Sequence, residues 1–448
     1  MSRVSQLPAD SPGVTDTLYR APRRRPVRRA LIIFVAALLV SLLAAAIMIG
    51  FAALIKSLSW AVVAAVLVAV LASWAFGFLI WRRQQAAPLR RLVVGPLAVF
   101  SCAAVLSLTW LYPGSGGVRP DLLPGVEWLN LPDDSRLALH VTRAPAATQP
   151  PVIFVHGGPG VADMAHDAPA LAALATDRDV YVYDRIGTGA SSRLADPTGY
   201  TTARTVQDLE AVRAQTGAPQ VVLMGHSWGA RSAAAYAQEH PDHVAALVLI
   251  APGDLPIEGA DVPPGDLTTR LDTSELTRVY LRLLRPRNLF AYAMTATDAR
   301  VAHSVAGDRE MDRRFSAIYR DSTPALFCDK RLEDKVGTTG VGYYAHYAPQ
   351  GHPDPADVPL HLNRLAMIKV PVLVIKPACD YLPWSATAGY LSAFTQARLV
   401  MIPDAGHVAY LEQPALYTSL VNAFLSGQQL PLPILDGTTI PDGYRGTR

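Results

Sequence analysis

The chain has 448 residues, of which 50% are apolar and 17% charged, and its mean hydropathy is +0.21. This composition excludes a disordered chain, and 31 glycines without a three-residue period exclude collagen. Residues 1–112 carry 12 basic and 2 acidic side chains, whereas the remainder carries 28 basic and 35 acidic, so the larger region is acidic and a nucleic-acid-binding function is excluded.

Three uncharged apolar segments follow a basic N-terminal stretch at residues 1–29. They occupy residues 30–55, 57–81 and 92–112. An α-helix rises about 1.5 Å per residue, so about 20 residues cross a hydrocarbon core of about 30 Å. The sequence therefore predicts three transmembrane helices within residues 30–112. A cleaved signal peptide at the first segment is the alternative interpretation.

Basic residues flank these segments unevenly. Five arginines lie within residues 23–29 and four lie within residues 82–91, whereas the loop between the first two segments carries only Lys56. The positive-inside rule then predicts a cytoplasmic N-terminus and a cytoplasmic second loop. Three crossings would deliver residues 113–448 to the extracytoplasmic side, so we expect a multi-pass protein of the cell membrane with the lipid bilayer as a partner.

A Gly- and Pro-rich linker at residues 113–124 precedes a region in which apolar β-branched runs alternate with helical patterns. This alternation predicts right-handed crossovers and an eight-stranded, mostly parallel sheet flanked by helices. The expected strands are 126–131, 136–142, 152–156, 180–184, 220–224, 244–250, 372–376 and 398–402. The clearest expected helices are 202–215, 228–239, 385–394 and 414–425.

The interval 254–366 lacks this alternation of strands and helices, because it is polar, helical in pattern and rich in proline. We expect it to form a helical cap over the carboxyl ends of the strands. The core domain would then comprise residues 125–253 and 367–430, followed by a C-terminal tail at 431–448. Cys328 in the cap and Cys379 in the core could pair as a disulfide in an oxidising compartment.

A Gly-x-Ser-x-Gly sequence connects an expected strand to an Ala-rich helix and consists of Gly225, His226, Ser227, Trp228 and Gly229. In that setting the sequence predicts a nucleophile elbow, a strand-to-helix turn so tight that only small side chains fit two positions before and after the serine. The serine hydroxyl would then project at a helix N-terminus, where partial positive charge favours a developing anion. An ordinary Gly-rich turn is the alternative.

A second small-residue loop follows the strand at 152–156 and has the sequence His156-Gly157-Gly158-Pro159-Gly160. A loop without side chains can bring a backbone N–H within about 3 Å of a tetrahedral oxyanion. We assign the N–H groups of Gly158 and Trp228 to this oxyanion hole, with an uncertainty of one residue for Gly158. We expect His156 to brace the loop rather than to act as the catalytic base.

The catalytic base is expected late in the chain, in a loop at the carboxyl edge of the sheet. His407 occupies such a loop, after the last expected strand. The rival histidines lie in the cap or precede the elbow, and they are His140, His346, His352 and His361.

A carboxylate must orient the base and stabilise its imidazolium. Asp380 follows the strand at 372–376 and is assigned this role, with Asp254 as the alternative. Asp404 lies three residues before His407 and is expected to brace its loop.

With these residues in place, the segment 156–248 resembles the proline iminopeptidase group of α/β-hydrolases. The matching stretches are residues 156–160, 184–191, 227–229, 235–238 and 240–241. The resemblance implies an α/β-hydrolase fold and a Ser-Asp-His triad that needs no metal or organic cofactor. Two positions differ from the family pattern: His226 stands where glycine is usual, and Arg185-Ile186 stands where Gln-Arg is usual.

The sequence therefore predicts a membrane-tethered serine hydrolase with a small-molecule, peptide or lipid-ester substrate. The resemblance favours peptides with a free N-terminus, whereas the membrane tether favours acyl esters or lipids. A non-catalytic membrane sensor or scaffold is a third possibility. In the resembled family, acidic cap residues hold the free amine of the substrate, and the candidates in this chain are Glu258, Glu275, Glu310 and Glu333.

Overall fold

The computed structural model describes residues 25–81, 93–112, 116–255, 265–351, 360–437 and 439–447. Two compact units make up the chain. The first contains the residues up to 109 except 49–58, and the second contains residues 49–58 and everything from 110 onward.

Most of the first unit consists of three apolar helices, α1 (Arg25–Ile55), α2 (Leu58–Trp81) and α3 (Gly95–Leu111), of which the last residues of α1, the first residue of α2 and the last residues of α3 belong to the second unit. The two helical segments Val27–Ile55 and Leu58–Ile80 are long and apolar enough to cross a membrane. Helix α3 has 17 residues and a length of about 25 Å, which is shorter than a hydrocarbon core of about 30 Å.

Two described helices, rather than the predicted three, therefore satisfy the length and composition of a membrane span. The predicted third span began at residue 92, but the α-helix begins only at Gly95, directly before Pro96. A proline is tolerated in the first turn of a helix, where its missing N–H would have no partner. The arginines predicted to orient the second loop, at residues 82–91, lie outside the described residues.

The second unit is built on one eight-stranded sheet, which confirms the predicted strand number and the predominance of parallel pairing. The strand order is β1-β2-β4-β3-β5-β6-β7-β8. β2 pairs antiparallel with β1 and with β4, and all other neighbours are parallel. The strands are β1 (Glu127–Asn130), β2 (Arg136–Thr142), β3 (Val152–Val155), β4 (Val180–Asp184), β5 (Val221–His226), β6 (Val244–Ile250), β7 (Val372–Pro377) and β8 (Ala397–Ile402).

Helices cover both faces of this sheet, so its central strands are buried on both sides and read as continuous apolar runs. Every residue of β3, β4, β5 and β7 is buried. The helices between or after the strands are α4 (Met164–Leu171), α5 (Thr202–Thr216), α6 (Trp228–Glu239), α13 (Trp384–Ala393), α14 (Ala409–Glu412) and α15 (Pro414–Leu425).

The predicted cap interval is helical in its described part. It contains α7 (Thr273–Leu283), α8 (Pro286–Thr297), α9 (Ala299–Val305), α10 (Asp308–Ser322), α11 (Tyr343–Gly351) and α12 (Leu362–Ala366). Ion pairs fasten these helices to one another and to the core: Glu310 of α10 binds the buried Arg287 of α8 at 2.8 Å, and Asp312 of α10 binds Arg193 at 3.0 Å.

The C-terminal segment returns to the sheet and contacts β8 and the loop after β7, an arrangement the sequence did not indicate. Leu435 forms an isolated antiparallel bridge with Leu399 of β8. Farther on, the N–H of Arg445 donates to the carbonyl of Ala378 at 2.7 Å, and that of Thr447 donates to the carbonyl of Asp380 at 3.1 Å. The loop after β7 is therefore closed on one side by the tail.

Candidate active site

Ser227 lies at the junction between β5 and α6, with φ 55° and ψ −121°. A positive φ is uncommon for a residue with a side chain and marks a strained turn. Backbone hydrogen bonds hold the turn: the Ser227 N–H donates to Ile250 O at 2.9 Å, and the Ser227 carbonyl accepts from the N–H of Ala230 at 3.0 Å and of Gly253 at 3.1 Å. This is the geometry of a nucleophile elbow.

The glycines around this turn have no room for a side chain. A Cβ on Gly225 would lie 2.5 Å from the carbonyl oxygen of Gly229, and one on Gly229 would lie 2.0 Å from the carbonyl oxygen of Val155. A Cβ on Gly157, in the loop after β3, would lie 2.7 Å from the Cβ of Ser227. The His156–Gly160 loop therefore packs directly against the serine.

His407 and Asp380 come from loops after neighbouring strands, β8 and β7, and both are buried. Nδ1–H of His407 donates to Oδ1 of Asp380 at 2.8 Å, which leaves Nε2 free to accept a proton. Burial alone would raise the pKa of Asp380, but the charges of Lys376 and His407 outweigh it and hold the pKa well below its usual range. The carboxylate is therefore ionised.

Two aromatic rings enclose the imidazole of His407. Tyr381 lies with its ring centroid 4.6 Å away. His226 lies 4.7 Å away, and its Nε2–H donates to the carbonyl of His407 at 2.9 Å. His226 thus links the loop that carries His407 to the elbow. Neither was assigned such a contact from the sequence.

The alternative acids and bases lie elsewhere. Asp254 is exposed, and the carboxylate that contacts His407 is Asp380. Asp404 is exposed and binds Arg445 of the tail. Among the rival histidines, His346 is half-buried and packs against Phe315, with ring centroids 4.9 Å apart, and desolvation lowers its pKa to about 4.

The remaining three rivals differ in position. His140 belongs to β2. His361 precedes α12, and its backbone N–H donates to the side chain of Gln238. His352 lies outside the described residues.

His156 is buried and holds the small-residue loop in shape. Its Nδ1–H donates to Gly157 O at 2.9 Å, and its Nε2 accepts from the backbone N–H of Arg185 at 3.1 Å. Burial lowers the pKa of His156 to about 3, so the ring is neutral. The next residues, Gly158 with φ 119° and Pro159, are joined by a cis peptide bond. The residue that touches Ser227 is Gly157, and the assignment of Gly158 as an oxyanion donor stays a prediction.

Arg185 connects both proposed halves of the oxyanion hole. Its Nη1–H donates to Pro159 O at 2.7 Å, and its guanidinium carbon lies 4.1 Å from the ring centroid of Trp228. Nη2–H donates to Thr205 Oγ1 at 2.7 Å. Burial lowers the pKa of Arg185 to about 10, which leaves it charged at neutral pH. The sequence marked this position only as a departure from the family pattern.

Lys376, in β7, is fully buried although it carries an ammonium group. Its Nζ donates to Oδ2 of Asp380 at 3.0 Å and to the carbonyl of Leu382 at 2.8 Å. Burial lowers the pKa of Lys376 and Asp380 opposes that effect. A lysine inside an otherwise apolar strand was a sequence signal that this charge needs a buried partner, although the partner itself is shown only by the fold.

Two links tie the cap to the loops that carry Asp380 and His407. Cys328 in the cap and Cys379 form a disulfide with 5.3 Å between their Cα atoms. Glu412 of α14 accepts hydrogen bonds from the backbone N–H of Gly406, of Cys328 at 2.9 Å and of Asp329 at 3.1 Å. One cap segment is therefore bound to the neighbours of both residues.

The cap glutamates differ in their surroundings. Glu310 binds Arg287 and Arg314, and Glu275 binds Lys330 at 2.6 Å while accepting from the N–H of Asp272 at the start of α7. Glu333 is exposed, and Glu258 lies outside the described residues. Two of the four candidates for amine binding are thus already paired with cations.

One group among the described residues has the composition of a metal site: Glu210, His240 and His243, with one potential ligand atom each within 4.8 Å of the others. Arg213 donates to both carboxylate oxygens of Glu210, at 2.7 Å and 2.9 Å. A guanidinium therefore already occupies the carboxylate that a metal ion would need. The group is an ion-pair cluster at the C-terminal end of α6, whereas Ser227 lies at the N-terminal end.

Similarity to known proteins agrees with this geometry. A family model described as alpha/beta hydrolase fold matches residues 150–414. The chain belongs to this family. The predicted resemblance and the prediction of a hydrolase are both confirmed.

Several known proteins are similar to this chain in sequence or in structure. A proline iminopeptidase of Levilactobacillus brevis is 25% identical over 290 residues, covering 62% of this chain and 88% of that protein. Among solved structures, the proline iminopeptidase of Mycobacterium smegmatis is 23% identical, covers 68% of this chain and 98% of its own, and has a TM-score of 0.45. A thermophilic esterase from Thermogutta terrifontis is 21% identical, with 67% and 98% coverage and a TM-score of 0.47.

Proposed function

We propose that this α/β-hydrolase acts through a covalent acyl-enzyme, with Ser227 as the nucleophile, His407 as the general base and Asp380 as the carboxylate that orients it. The observation that carries the proposal is the 2.8 Å contact between His407 Nδ1 and Asp380 Oδ1, beside a serine held at positive φ at the start of α6. A hydrogen-bonded acid and base next to a strained serine are the parts that acyl transfer requires.

The reaction would proceed in two stages. Nε2 of His407 takes the hydroxyl proton while Oγ of Ser227 attacks the substrate carbonyl, and the imidazolium then returns that proton to the leaving group. In the second stage, water attacks the acyl-enzyme with the same proton transfers through His407, and Ser227 is released. Backbone N–H groups of Trp228 and of the Gly157–Gly158 segment would stabilise the oxyanion. Arg185 would hold these two groups of donors at a fixed distance from each other, because it contacts both Pro159 and the Trp228 ring.

We propose peptides with a free N-terminus as the substrate class. The support is the proline iminopeptidase relative, of which 88% is covered by the match. Acyl esters or lipids are the second candidate, because the N-terminal helices would keep the enzyme close to lipid. Both classes present a carbonyl to the same serine.

We also propose that the chain is anchored in the cell membrane by its first unit. Only 28% and 17% of the most apolar windows of α1 and α2 are buried within the protein, so their leucines, valines and phenylalanines face outward. Such a surface is stable in lipid and unfavourable in water.

The number of crossings decides on which side the hydrolase unit lies. With a cytoplasmic N-terminus, two crossings would leave it in the cytoplasm and three would export it. We favour three, with α3 completing the third pass, because the Cys328–Cys379 disulfide is typical of an oxidising compartment.

Labelling of the purified full-length protein with a fluorophosphonate tests the reaction. We expect wild type and the exposed control variant Ser392→Ala to be labelled, and Ser227→Ala to be unlabelled. Aminoacyl-naphthylamides and p-nitrophenyl esters, assayed side by side, then separate the two substrate classes. Labelling that persists in Ser227→Ala would refute the assignment of the nucleophile.

Reporter fusions test the topology. Alkaline phosphatase fused after Arg91 should be inactive and the same enzyme fused after Arg119 should be active, because α3 lies between the two positions. Equal activity at both positions would show that α3 does not cross the membrane.

A further inference from the structure

Lys376 is the most unusual charged residue near the site. It is 0% exposed, and its strand neighbours Val374 and Ile375 are also fully buried. An unpaired ammonium in such a place would be strongly unfavourable, so the protein retains it only with full hydrogen bonding. The donors of Nζ are used on Asp380 Oδ2 at 3.0 Å, on Leu382 O at 2.8 Å and on Pro383 O at 3.4 Å.

The two oxygens of Asp380 therefore have different side-chain partners. Oδ1 accepts from His407 Nδ1 and, at 3.2 Å, from the N–H of Leu382, whereas Oδ2 accepts from Lys376. Because a carboxylate is planar, holding Oδ2 on one side fixes the direction in which Oδ1 meets the imidazole. The positive charge of Lys376 also offsets the negative charge of Asp380, and it is this negative charge that stabilises the imidazolium of His407.

From this arrangement we propose that Lys376 is a positioning residue of the catalytic triad: it fixes the Asp380 carboxylate and limits protonation of the Asp380–His407 pair, so that the base stays available in mildly acidic conditions. The inference rests on the proposed function. It concerns the effect of the Lys376 charge on the Asp380–His407 pair and does not depend on which substrate is bound.

The sign of the effect follows from the charges. The Asp380–His407 pair takes up a proton as pH falls, and the protonated pair cannot accept the serine proton. A cation beside Asp380 opposes that uptake, so removing it should make the pair protonate at higher pH. Within the described part of the chain, the other titratable or charged groups near the pair include His226, Arg270, Tyr381, Glu412 and Tyr444.

The experiment measures kcat/KM from about pH 5 to pH 9 for full-length wild type, Lys376→Met, Lys376→Gln and Lys376→Arg. For a buried charge pair at an effective dielectric constant of about 20, we expect the acid limb to move up by about 1–2 pH units in the Met and Gln variants. Below the limb, activity should then fall about tenfold per unit and recover as pH rises. Lys376→Arg, which retains the charge, should keep the wild-type limb.

Lys369→Met is the matched control, because Lys369 lies just before β7 and its Nζ donates only to Ala366 O at the surface. It should leave the profile unchanged. Thermal unfolding at each pH distinguishes a loss of folding from protonation of the base. The positioning role of Lys376 would be overturned if Lys376→Met and Lys376→Gln are unfolded at every pH, or if their acid limb stays at the wild-type position. A wild-type protein that fluorophosphonate does not label would instead overturn the proposed function, and this inference with it.

Discussion

Substituting Gly157 by alanine probes how closely the loop after β3 approaches the nucleophile. The added Cβ would lie 2.7 Å from Ser227 Cβ, 3.1 Å from His226 O and 3.3 Å from Ser227 Oγ. Carbon atoms in contact normally stay about 3.5–4.0 Å apart, so the loop or the elbow must move by roughly 1 Å. A displacement of that size at reacting groups lowers turnover by about 100-fold.

The free energy of unfolding should fall by about 1–3 kcal/mol, because the clash is local. The assay is kcat together with the rate of fluorophosphonate labelling, with thermal unfolding in parallel. Gly389→Ala is the control, since a Cβ there meets nothing within 4 Å and alanine favours helix α13. A Gly157→Ala enzyme with wild-type turnover would refute the close approach of this loop to Ser227.

Three further predictions concern other parts of the site. Ser227→Ala and His407→Ala should each lower kcat by several orders of magnitude, and the double variant should be little worse, because the residues act as a unit; multiplicative losses in the same kinetic assay would contradict this. Arg185→Met removes the hydrogen bonds of the guanidinium to Thr205 and to Pro159. The charge-assisted bond to Pro159 in the small-residue loop is worth about 1.5–3 kcal/mol, so we expect kcat/KM to fall about tenfold to a hundredfold, without loss of folding by circular dichroism. Glu310→Gln should lower Tm, because a buried arginine loses its carboxylate, while the ratio of aminoacyl to ester turnover stays constant; a selective loss of aminoacyl turnover would make Glu310 an amine-binding residue.

The fold was largely accessible from the sequence because its determinants are local. Apolar β-branched runs between turns predicted all eight strands, with ends that differ by one or two residues, as for the strand expected at 220–224 and observed at Val221–His226. The Gly225 and Gly229 pattern was informative for a related reason: the steric requirement of the turn involves residues close together in the chain.

Contacts between distant segments were not accessible in the same way. Arg185 reaches Trp228, and the tail reaches the loop of Asp380, through a packing arrangement that no local pattern encodes. Lys376 was visible as a charge in an apolar strand, but only the fold shows which carboxylate it meets. The number of described helices that satisfy the length of a membrane span was overestimated for another reason, since apolar length was counted without the position at which α3 begins, at Gly95.

The attachment of the cap has a mechanical consequence. The Cys328–Cys379 disulfide and the hydrogen bonds of Glu412 fix one edge of the cap to the sheet. If the cap opens to admit substrate, the segment around Cys328 has to stay with the sheet, whereas the ion pairs that join Asp312 to Arg193 and Arg300 to Asp196 have to break. The fixed segment lies next to the loops of Asp380 and of His407, the proposed base, so opening would leave the geometry of these two residues undisturbed.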